Sequence, residues 1–431
     1  MNTIDIHYVT RVEGHGDILV AITNGKVEKC RWNIPEAPRF FEAMVVGRKW
    51  NEVHHIVSRI CGICSIGHTL TSLKATEAAM AIPISEQDIL LRKLALHAEN
   101  MQSHLLHLGY LVLPDLLGTG SVIPLTKSYP DELKTVIRLH RLANTLSDML
   151  CGRTTHPQRL IPGGFSRIPA MDELKIFKKR LYNSFSDLET LVDLFQEVVN
   201  TFPDFSRETE FIALTSPDEY TLYDGIIGST DTESAPVTEY LSFTNEYIVP
   251  RSTAKWTKHV RDSCMVGALA RLNINYENLS SRAREVAALF NLKPVCHNPF
   301  MNNIAQLVEV VHSVEDSITL ISEIEASGLN PIPDYNRPVI EVKAGQGVGA
   351  VEVPRGILFH DYTYNQEGVC TAANFVIPTN QNHANIQGDL EAFVPQLVDK
   401  PKKEIELAIE MLVRAYDPCI SCSTHCVEVH L

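Results

Sequence analysis

Apolar residues recur at steps of three and four through much of this chain, the period of a helix that buries one face. Proline cannot donate the helical hydrogen bond, so Pro114 is expected to end the second of the predicted helices. The pattern predicts helices over Thr69 to Ala81, Glu86 to Leu113, Asp172 to Asn200, Leu279 to Phe290, Asn303 to Ser327 and Lys402 to Ala415.

Two regions depart from the helical period. Residues Ile4 to Trp32 alternate apolar and polar around Asn24 and Gly25, a pair typical of a tight hairpin. The segment from Asn336 to Asn380 has the composition of strands and turns. The glycine-rich string from Gly345 to Gly349 is interpreted as a turn, because the proline that follows prevents a helix from beginning there.

The predicted fold class is therefore α+β and mainly α. A bundle of long helices would surround a buried metal site, with small antiparallel sheets near the N-terminus and before the C-terminal motif. No internal repeat and no linker rich in Pro, Gly or Ser divides the chain. A single domain over residues 1–431 is expected, with an N-terminal sheet region of about residues 1–45.

Composition narrows the possible partners. The 431 residues are 45% hydrophobic and carry a formal net charge of -14, with no long Lys/Arg block, which argues against nucleic acid and anionic membranes as partners. The sequence has neither a secretory signal pattern nor an apolar run of the ~18 residues that a bilayer span requires. A soluble, cytoplasmic protein is predicted.

Two Cys-x-x-Cys pairs near opposite ends of the chain carry the main chemical signal. Cys61 and Cys64 form the first pair, and Cys419 and Cys422 the second. Two intervening residues let both sulfurs of a pair turn onto one centre, and thiolates select soft or borderline metals. Structural zinc is the plain alternative, but zinc folds usually close over a few tens of residues, and a chain of this size can bury its own core. A functional metal site is therefore favoured.

The remaining cysteines are scattered without pairing motifs, as expected in a reducing compartment. They form no second cluster able to hold an iron-sulfur centre, and no Rossmann glycine fingerprint is present. Electrons handled at the metal site would thus leave through another subunit. These cysteines are Cys30, Cys151, Cys264, Cys296, Cys370 and Cys426.

The flanking strings, Arg59 to His68 and Asp417 to His425, resemble the two signature motifs of the catalytic large subunit of nickel-iron hydrogenases. Further matching strings follow in order along the whole chain. They are Arg11 to His15, Gly152 to Gly164, Val266 to Arg271, Gly347 to Gly356 with His360, and Ile377 to Asn382. The strings at Gln102 to His104, Pro114 to Asp115 and Arg414 to Cys419 look most like the cytoplasmic, multisubunit branch that serves soluble acceptors.

The resemblance implies a nickel-iron centre whose iron carries cyanide and carbon monoxide. Cys61 and Cys419 would be terminal nickel ligands, while Cys64 and Cys422 would bridge nickel to iron. Arg355 and the Pro378-Thr379 step would hold the diatomic ligands, Arg355 as a fixed cation over the thiolates. An ordinary buried salt bridge is the alternative for Arg355.

A second, harder metal site is implied at Glu42, His425 and the main-chain carbonyl of Phe375. Oxygen and imidazole ligands suit magnesium or iron(II). This ion would hold the C-terminal segment in place. The resemblance also implies maturation by cleavage after His425, but six further residues, including Cys426 and His430, follow it here. These six residues are interpreted as an uncleaved or unusually short tail.

Proton transfer is assigned to a cysteine and a glutamate, and a separate supporting role to His68. Cys422 or Cys419 would accept the proton from dihydrogen, and Glu13 would relay it outward, unless Glu13 only pairs with Arg11. His68 would donate to a thiolate from the following helix, with a capped helix histidine as the alternative. The histidines at 97, 104 and 107 are interpreted as packing residues or part of a water network leading to the surface.

The expected activity is reversible heterolytic cleavage of dihydrogen to protons and electrons. The expected partners are a small subunit with iron-sulfur clusters and further flavin or iron-sulfur subunits, which pass electrons to a soluble acceptor of the NAD(P), ferredoxin or heterodisulfide reductase type. The alternatives are a deazaflavin-reducing hydrogenase and a hydrogen-sensing regulatory protein. A metal-free relative of the respiratory complex I quinone module is disfavoured by the four intact cysteines.

Overall fold

The computed structural model describes residues 2–330 and 340–425. Residues 426–431, predicted as a tail, lie outside these ranges. So do residues 336–339, the start of the segment predicted to contain strands and turns. None of the helices within them combines the length and the apolar character needed to cross a bilayer.

The strands are β1 (Asn2–Ile6), β2 (Asp17–Thr23), β3 (Lys26–Asn33), β4 (Leu160–Ile161), β5 (Gly164–Phe165), β6 (Glu210–Thr215), β7 (Ile226–Ser229), β8 (Cys264–Met265), β9 (Gly345–Val353), β10 (Gly356–Tyr364) and β11 (Cys370–Val376). The helices are α1 (Phe41–Val45), α2 (Trp50–Val57), α3 (Ser65–Met80), α4 (Glu86–Leu106), α5 (Leu113–Leu116), α6 (Val122–Ser128), α7 (Pro130–Cys151), α8 (Met171–Asn183), α9 (Phe185–Val198), α10 (Tyr240–Thr244), α11 (Ala268–Asn275), α12 (Ser281–Leu289), α13 (Asn302–Ser327), α14 (Pro378–Phe393), α15 (Lys402–Ala415) and α16 (Ile420–Ser423).

The N-terminal sheet forms as the alternating pattern predicted. Strands β1, β2 and β3 pair antiparallel in chain order, and β2 turns into β3 at Asn24 and Gly25. Both turn residues have positive φ, 52° and 73°, which the tight hairpin turn requires. The sheet places the loop between β1 and β2, which carries Glu13, against the C-terminal motif.

A second antiparallel sheet, β9-β10-β11, corrects the turn expected at the glycine-rich string. Gly345, Gly347 and Gly349 lie in β9, which packs directly on α3. A Cβ atom added at Gly347 would meet the Ala75 carbonyl oxygen at 2.2 Å. The glycines therefore allow the strand and helix backbones to approach each other closely. Turns also favour glycine, so the sequence alone did not distinguish the two roles.

Long helices form the centre of the molecule, and the mainly α, α+β fold class is confirmed. Helices α13 and α15 match their predicted ranges closely, while the predicted 172–200 helix divides at Ser184 into α8 and α9. The predicted 86–113 helix ends earlier, because α4 gives way to a π-helical turn at His107–Val112. Pro114 does not stop a helix there but lies in the first turn of α5, where its missing N–H is tolerated.

A third sheet, β7-β6-β8, includes a parallel pair between β6 and β8 that the sequence pattern did not indicate. The long helix α7 was also missed, although its apolar residues face the core at helical spacing. Together α3, α4, α13 and the β9–β11 sheet form the frame that supports the two cysteine pairs.

Candidate metal centre

The first cysteine pair is positioned by the start of α3. Cys64 is the residue that caps this helix, and Cys61 lies in the loop just before it. The backbone N–H groups of Ile63 and Cys64 donate to the Cys61 sulfur at 3.2 and 3.1 Å. Such N–H···S bonds stabilise a thiolate and hold the sulfur in a fixed direction.

The second pair lies on α16, where Cys419 caps the helix and Cys422 sits within it. The four sulfur atoms of both pairs lie within 4.8 Å of one another, and all four residues are buried. The sulfurs of Cys61 and Cys419 are 3.6 Å apart, and those of Cys419 and Cys422 are in contact. Metal ligation uses thiolates, so all four cysteines would bind in their reduced form.

Electrostatics within the first pair favour a thiolate at Cys61. The hydrogen bond from the Cys64 thiol lowers the pKa of Cys61, and the positive charge of Arg355 acts in the same direction against the effect of burial. The same hydrogen bond, together with burial, raises the pKa of Cys64. Two adjacent buried thiols lose one proton more easily than two, because the second negative charge would be repelled by the first. A bound metal cation would stabilise that second thiolate.

Arg355 is the fixed cation of the site. Its Nε donates to the Asp417 carbonyl at 2.6 Å and its Nη2 to Asp417 Oδ1 at 2.8 Å, and the side chain is buried. Burial lowers the pKa of Arg355, but Asp417 and the sulfurs of Cys64 and Cys61 outweigh burial and raise it overall. The guanidinium thus combines the salt bridge and the thiolate-facing cation that sequence analysis treated as alternatives.

Glu13 reaches the second cysteine pair from the N-terminal loop. Its Oε2 lies 3.1 Å from the Cys419 sulfur and accepts from the Ser421 N–H, and its Oε1 accepts from the Ser421 hydroxyl. A short parallel bridge joins the backbones of Glu13 and Cys419. Gly14 permits this contact, since its φ is +85° and an added Cβ would lie 2.6 Å from the Ser421 nitrogen. Arg11 pairs with Asp115 rather than with Glu13.

The predicted ligands of the harder site also converge. His425 Nε2 lies 2.7 Å from the Phe375 carbonyl oxygen and 3.5 Å from Glu42 Oε1. Its other nitrogen, Nδ1, faces the Cys422 carbonyl at 3.0 Å and fixes the ring, while Nε2 bonds to the Phe375 carbonyl and would give up that bond to hold an ion. Glu42 and His425 are buried, so an unpaired carboxylate here would be costly. The donor set of carboxylate, carbonyl and imidazole fits a divalent cation.

The structure places His68 in a chain of buried polar groups. Its Nδ1 lies 3.2 Å from His360 Nε2, and His360 Nδ1 lies 2.9 Å from the Tyr362 hydroxyl, which donates to Ser72. Burial, with smaller effects of His425 and Arg39, lowers the pKa of His68 to about 3. His68 is therefore neutral near pH 7.

The step at Pro378 and Thr379 opens α14 beside the second cysteine pair. The Thr379 hydroxyl accepts from the Cys419 N–H at 3.0 Å, which leaves its own hydrogen free to donate. The first backbone N–H groups of a helix also have no partner within the helix. This end of α14 therefore offers hydrogen-bond donors close to Cys419.

Sequence analysis missed two buried acids near the site. Asp417 holds Arg355, and its position two residues before Cys419 was the available signal. Glu99 accepts from the Ile66 and Gly67 N–H groups at the start of α3, and burial raises the pKa of Glu99 to about 8. Nothing in the α4 pattern distinguishes Glu99 from a surface acid.

His97 and His104 of α4, and His107 directly after it, face α13. His97 contacts Asp316, His104 contacts Glu309, and His107 contacts Gln306, all within 2.8 Å. Arg271 binds Glu309 through two nitrogens and holds its pKa far below the usual range despite burial. Such a fixed carboxylate does not exchange protons near pH 7, so this row of contacts serves packing and orientation.

Comparison with known sequences gives one family over most of the chain. The model of the family described as Nickel-dependent hydrogenase matches residues 39–124 and 231–425. A model described as HoxL-like matches residues 3–37. The match includes both cysteine pairs and the residues of the harder site.

Individual relatives extend the similarity to the full length. The chain is 32% identical to the alpha chain of sulfhydrogenase 1 from Pyrococcus furiosus, over 99% of this chain and 98% of that one. It is 31% identical to the corresponding chain of the F420-non-reducing hydrogenase from Methanothermobacter thermautotrophicus, over 97% and 94%.

Solved structures agree with the sequence comparison. An NAD+-reducing [NiFe]-hydrogenase in the H2-reduced state superposes with a TM-score of 0.88 at 27% identity, covering 99% of this chain and 100% of that one. The Ni-Fe-Se hydrogenase of D. vulgaris Hildenborough has a TM-score of 0.78 at 20% identity and shares the fold, covering 98% and 100%.

Proposed function

The chain belongs to the nickel-dependent hydrogenase family as a catalytic large subunit, and we propose that it cleaves dihydrogen reversibly at a nickel-iron centre held by Cys61, Cys64, Cys419 and Cys422. The observation that carries the assignment of these ligands is the convergence of four buried sulfurs from opposite ends of the chain, within 4.8 Å of one another. We propose Cys61 and Cys419 as terminal nickel ligands and Cys64 and Cys422 as bridges.

The metal pair, when bound, supplies the Lewis acid that polarises dihydrogen. Of the two cysteines considered as proton acceptors, Cys419 is favoured over Cys422, because its sulfur lies 3.1 Å from Glu13 Oε2. Glu13 then carries the proton toward the surface from its half-buried position. Each dihydrogen yields two protons, which leave by such a route, and two electrons, which leave through a partner protein.

Arg355 and Thr379 suit the role of holding cyanide and carbon monoxide on iron. Arg355 keeps one guanidinium nitrogen, Nη1, in only a weak bond to Ser103 at 3.4 Å, so that nitrogen can turn to an anionic ligand. The Thr379 hydroxyl and the adjacent free N–H at the start of α14 add neutral donors; Pro378 fixes the start of that helix.

Glu42, His425 and the Phe375 carbonyl suit a second ion, Mg²⁺ or Fe²⁺. The ion would link α1, β11 and the C-terminal segment, and so hold Cys419 and Cys422 in register with the first pair. This role explains why a buried carboxylate stands beside a buried imidazole. His68 was expected to donate to a thiolate, but its ring bonds to His360 among the described contacts, and its link to Cys64 is the backbone hydrogen bond from its N–H to the Cys64 carbonyl.

We propose that the electron partner is a small iron-sulfur subunit, with further flavin or iron-sulfur subunits beyond it. A soluble acceptor such as NAD(P), ferredoxin or a heterodisulfide reductase fits the relatives, several of which are named F420-non-reducing hydrogenases. A cytoplasmic location suits the unpaired cysteines elsewhere in the described chain. One domain over residues 1–431 suits a site assembled from both ends.

The decisive experiment is native purification of the complex under anaerobic conditions. We expect one nickel per large subunit, iron in excess of nickel from the partner's clusters, and hydrogen-dependent reduction of a soluble dye. Zinc in place of nickel would overturn the proposal. A co-purifying kinase with very slow turnover would favour a hydrogen sensor, and a flavoprotein specific for deazaflavin would favour that acceptor.

A further inference from the structure

A buried amide next to Asp417 has no role in the chemistry described so far. Gln306 lies on α13 with 1% of its surface exposed. Its Nε2 donates to Asp417 Oδ2 at 3.1 Å, and its Oε1 lies 2.6 Å from His107 Nδ1. The amide therefore links a histidine that follows α4 to the acid that holds Arg355.

We propose that Gln306, oriented by His107, is a positioning residue that sets the direction of Asp417 and, through it, of Arg355. The proposal rests on the proposed function of Arg355 at the metal site. Neither His107 nor Gln306 contacts a cysteine sulfur among the bonds of the described residues, so both act through Asp417.

The groups at the two ends of this series of hydrogen bonds, Arg355 and His107, determine which group donates in each bond. Arg355 occupies one carboxylate oxygen of Asp417, and the other oxygen accepts from an amide only if the Gln306 nitrogen points toward it. The Gln306 oxygen then faces His107, which must donate from Nδ1. The other ring nitrogen of His107 faces the Arg414 carbonyl at 2.9 Å, an acceptor that cannot turn. Donation on both sides requires His107 to carry a hydrogen on each ring nitrogen, as an imidazolium whose Nε2 lies 3.9 Å from Asp417 Oδ1, and it fixes the amide in one orientation.

Backbone geometry explains why such an anchor is needed. Asp417 has a positive φ of 49°, a conformation that costs a non-glycine residue free energy unless its surroundings maintain it. Three groups hold the segment just before Cys419. Asn302 donates to the Ala415 carbonyl at 2.7 Å, His107 holds the Arg414 carbonyl, and Gln306 holds the Asp417 side chain. Of these contacts, that of Gln306 is the hydrogen bond to the carboxylate itself, and His107 Nε2 lies 3.9 Å from the oxygen that faces Arg355.

The test is a double-mutant cycle in the purified complex. Gln306→Leu keeps the size of the side chain but removes both hydrogen bonds, and we expect about a tenfold loss of kcat for hydrogen oxidation with nickel retained. Arg355→Lys alone is expected to lose more. If Gln306 acts through Arg355, the double variant should be no slower than Arg355→Lys.

A second variant guards against loss of folding. Gln306→Glu still accepts from His107 but places a carboxylate oxygen against Asp417, so it should retain nickel while losing more rate than Gln306→Leu. Asn303→Leu is the matched control, because Asn303 is similarly buried on the same helix and its side chain bonds, within the described residues, to the Phe300 carbonyl alone. It should retain the parent kcat per nickel.

A crystal structure of Gln306→Leu gives a readout independent of activity. We expect the Asp417 carboxylate and the Arg355 guanidinium to have rotated from their present contact. Unchanged side chains, multiplicative losses in the cycle, or loss of nickel from both Gln306 variants would each overturn the inference. Failure of the proposed function would instead appear as absence of nickel and activity in the unmodified complex.

Discussion

Glu13 and Cys419, separated by 406 positions in the chain, meet with Oε2 3.1 Å from Sγ. The contact is built into the backbone, because the Ile420 N–H donates to the Glu13 carbonyl at 2.9 Å. A carboxylate held at this distance from a sulfur that we propose as a metal ligand is placed to take a proton from it.

Glu13→Gln should therefore stop proton transfer without removing the metals. The amide keeps the size of the side chain but cannot titrate, so we expect normal nickel content and a loss of at least ~10²-fold in turnover and in hydrogen-deuterium exchange. Exchange needs proton movement but no electron partner. Glu36→Gln is the control, since Glu36 bonds to the His15 backbone near the same loop and touches no sulfur. Exchange at the parent rate would direct attention to another exit.

Replacing Cys64 or Cys422 by serine should abolish nickel retention and activity. A serine oxygen is a poor ligand for these metals and would not bridge them. Nickel and iron per large chain, measured after purification, provide the test. Cys370→Ser should retain nickel, because the Cys370 sulfur is not part of the four-sulfur cluster and, in the part of the chain that the structure describes, bonds to the Ala372 carbonyl. Near-stoichiometric nickel in either cluster variant would contradict the bridging role.

Arg355→Lys should keep both metals and lose ten- to a hundredfold in rate, on the order seen when groups behind a metal ligand are changed. Lysine cannot bind the carbonyl and carboxylate of Asp417 together as the guanidinium does. Arg92→Lys is the comparison, because Arg92 is equally buried in an ion pair with Glu77. That variant should melt at a lower temperature with kcat per nickel unchanged. Parent turnover in Arg355→Lys would leave Arg355 a structural residue.

Glu42→Gln should remove the second ion. A neutral amide weakens a magnesium or iron(II) site, so we expect about one such ion fewer per chain and an affinity at least tenfold lower. Amide hydrogen exchange at residues 419–425 should become faster, since His425 and Cys422 share a hydrogen bond there. Glu52→Gln, in the first turn of α2, is the control. Unchanged ion content would argue that Glu42 binds no metal.

His383 should make stability depend on pH. Its Nδ1 accepts from Trp32 Nε1 at 3.1 Å, and its Nε2 contacts the Ser423 hydroxyl. Burial lowers the pKa of His383 from 6.5 to about 3. Between these values the unfolded chain binds a proton that the folded chain does not, so stability falls as pH drops below 6.5.

The effect can be isolated with His383→Gln. At pH 5 the parent should lose about 2 kcal/mol of unfolding free energy from this histidine relative to pH 7.5, and the variant should lack that part of the acid decline. Urea denaturation at both pH values measures it. Exposed His7 serves as the control, since His7→Gln should leave the decline intact. Equal declines in His383→Gln and the parent would refute the assignment.

The cysteine pairs could be found from the sequence because their spacing and flanking strings are local. The partners of Arg355 could not, because Asp417, Gln306 and His107 come from three elements that only the fold brings together. The helical period gave α13 and α15 almost to the residue, since their buried stripes are uninterrupted.

The same period failed at the π-helical turn after α4. The pattern of apolar residues continues through His107–Val112, so no change of composition marks the wider turn. What sustains it is tertiary: Arg11 donates to the Leu111 carbonyl at 2.6 Å and pairs with Asp115. The turn predicted at the β9 glycines was wrong for a related reason. Close packing on α3 and a tight turn both favour a residue without Cβ.

The bridge between Glu13 and Cys419 also bears on the order of events on the ribosome. The N-terminal sheet, the first cysteine pair and the long helices are synthesised before residue 419 exists. Because α16 follows all of these elements, its docking would bring the second cysteine pair to the first, and a metal taken up before that step would meet Cys61, Cys64 and Glu13 without Cys419 and Cys422.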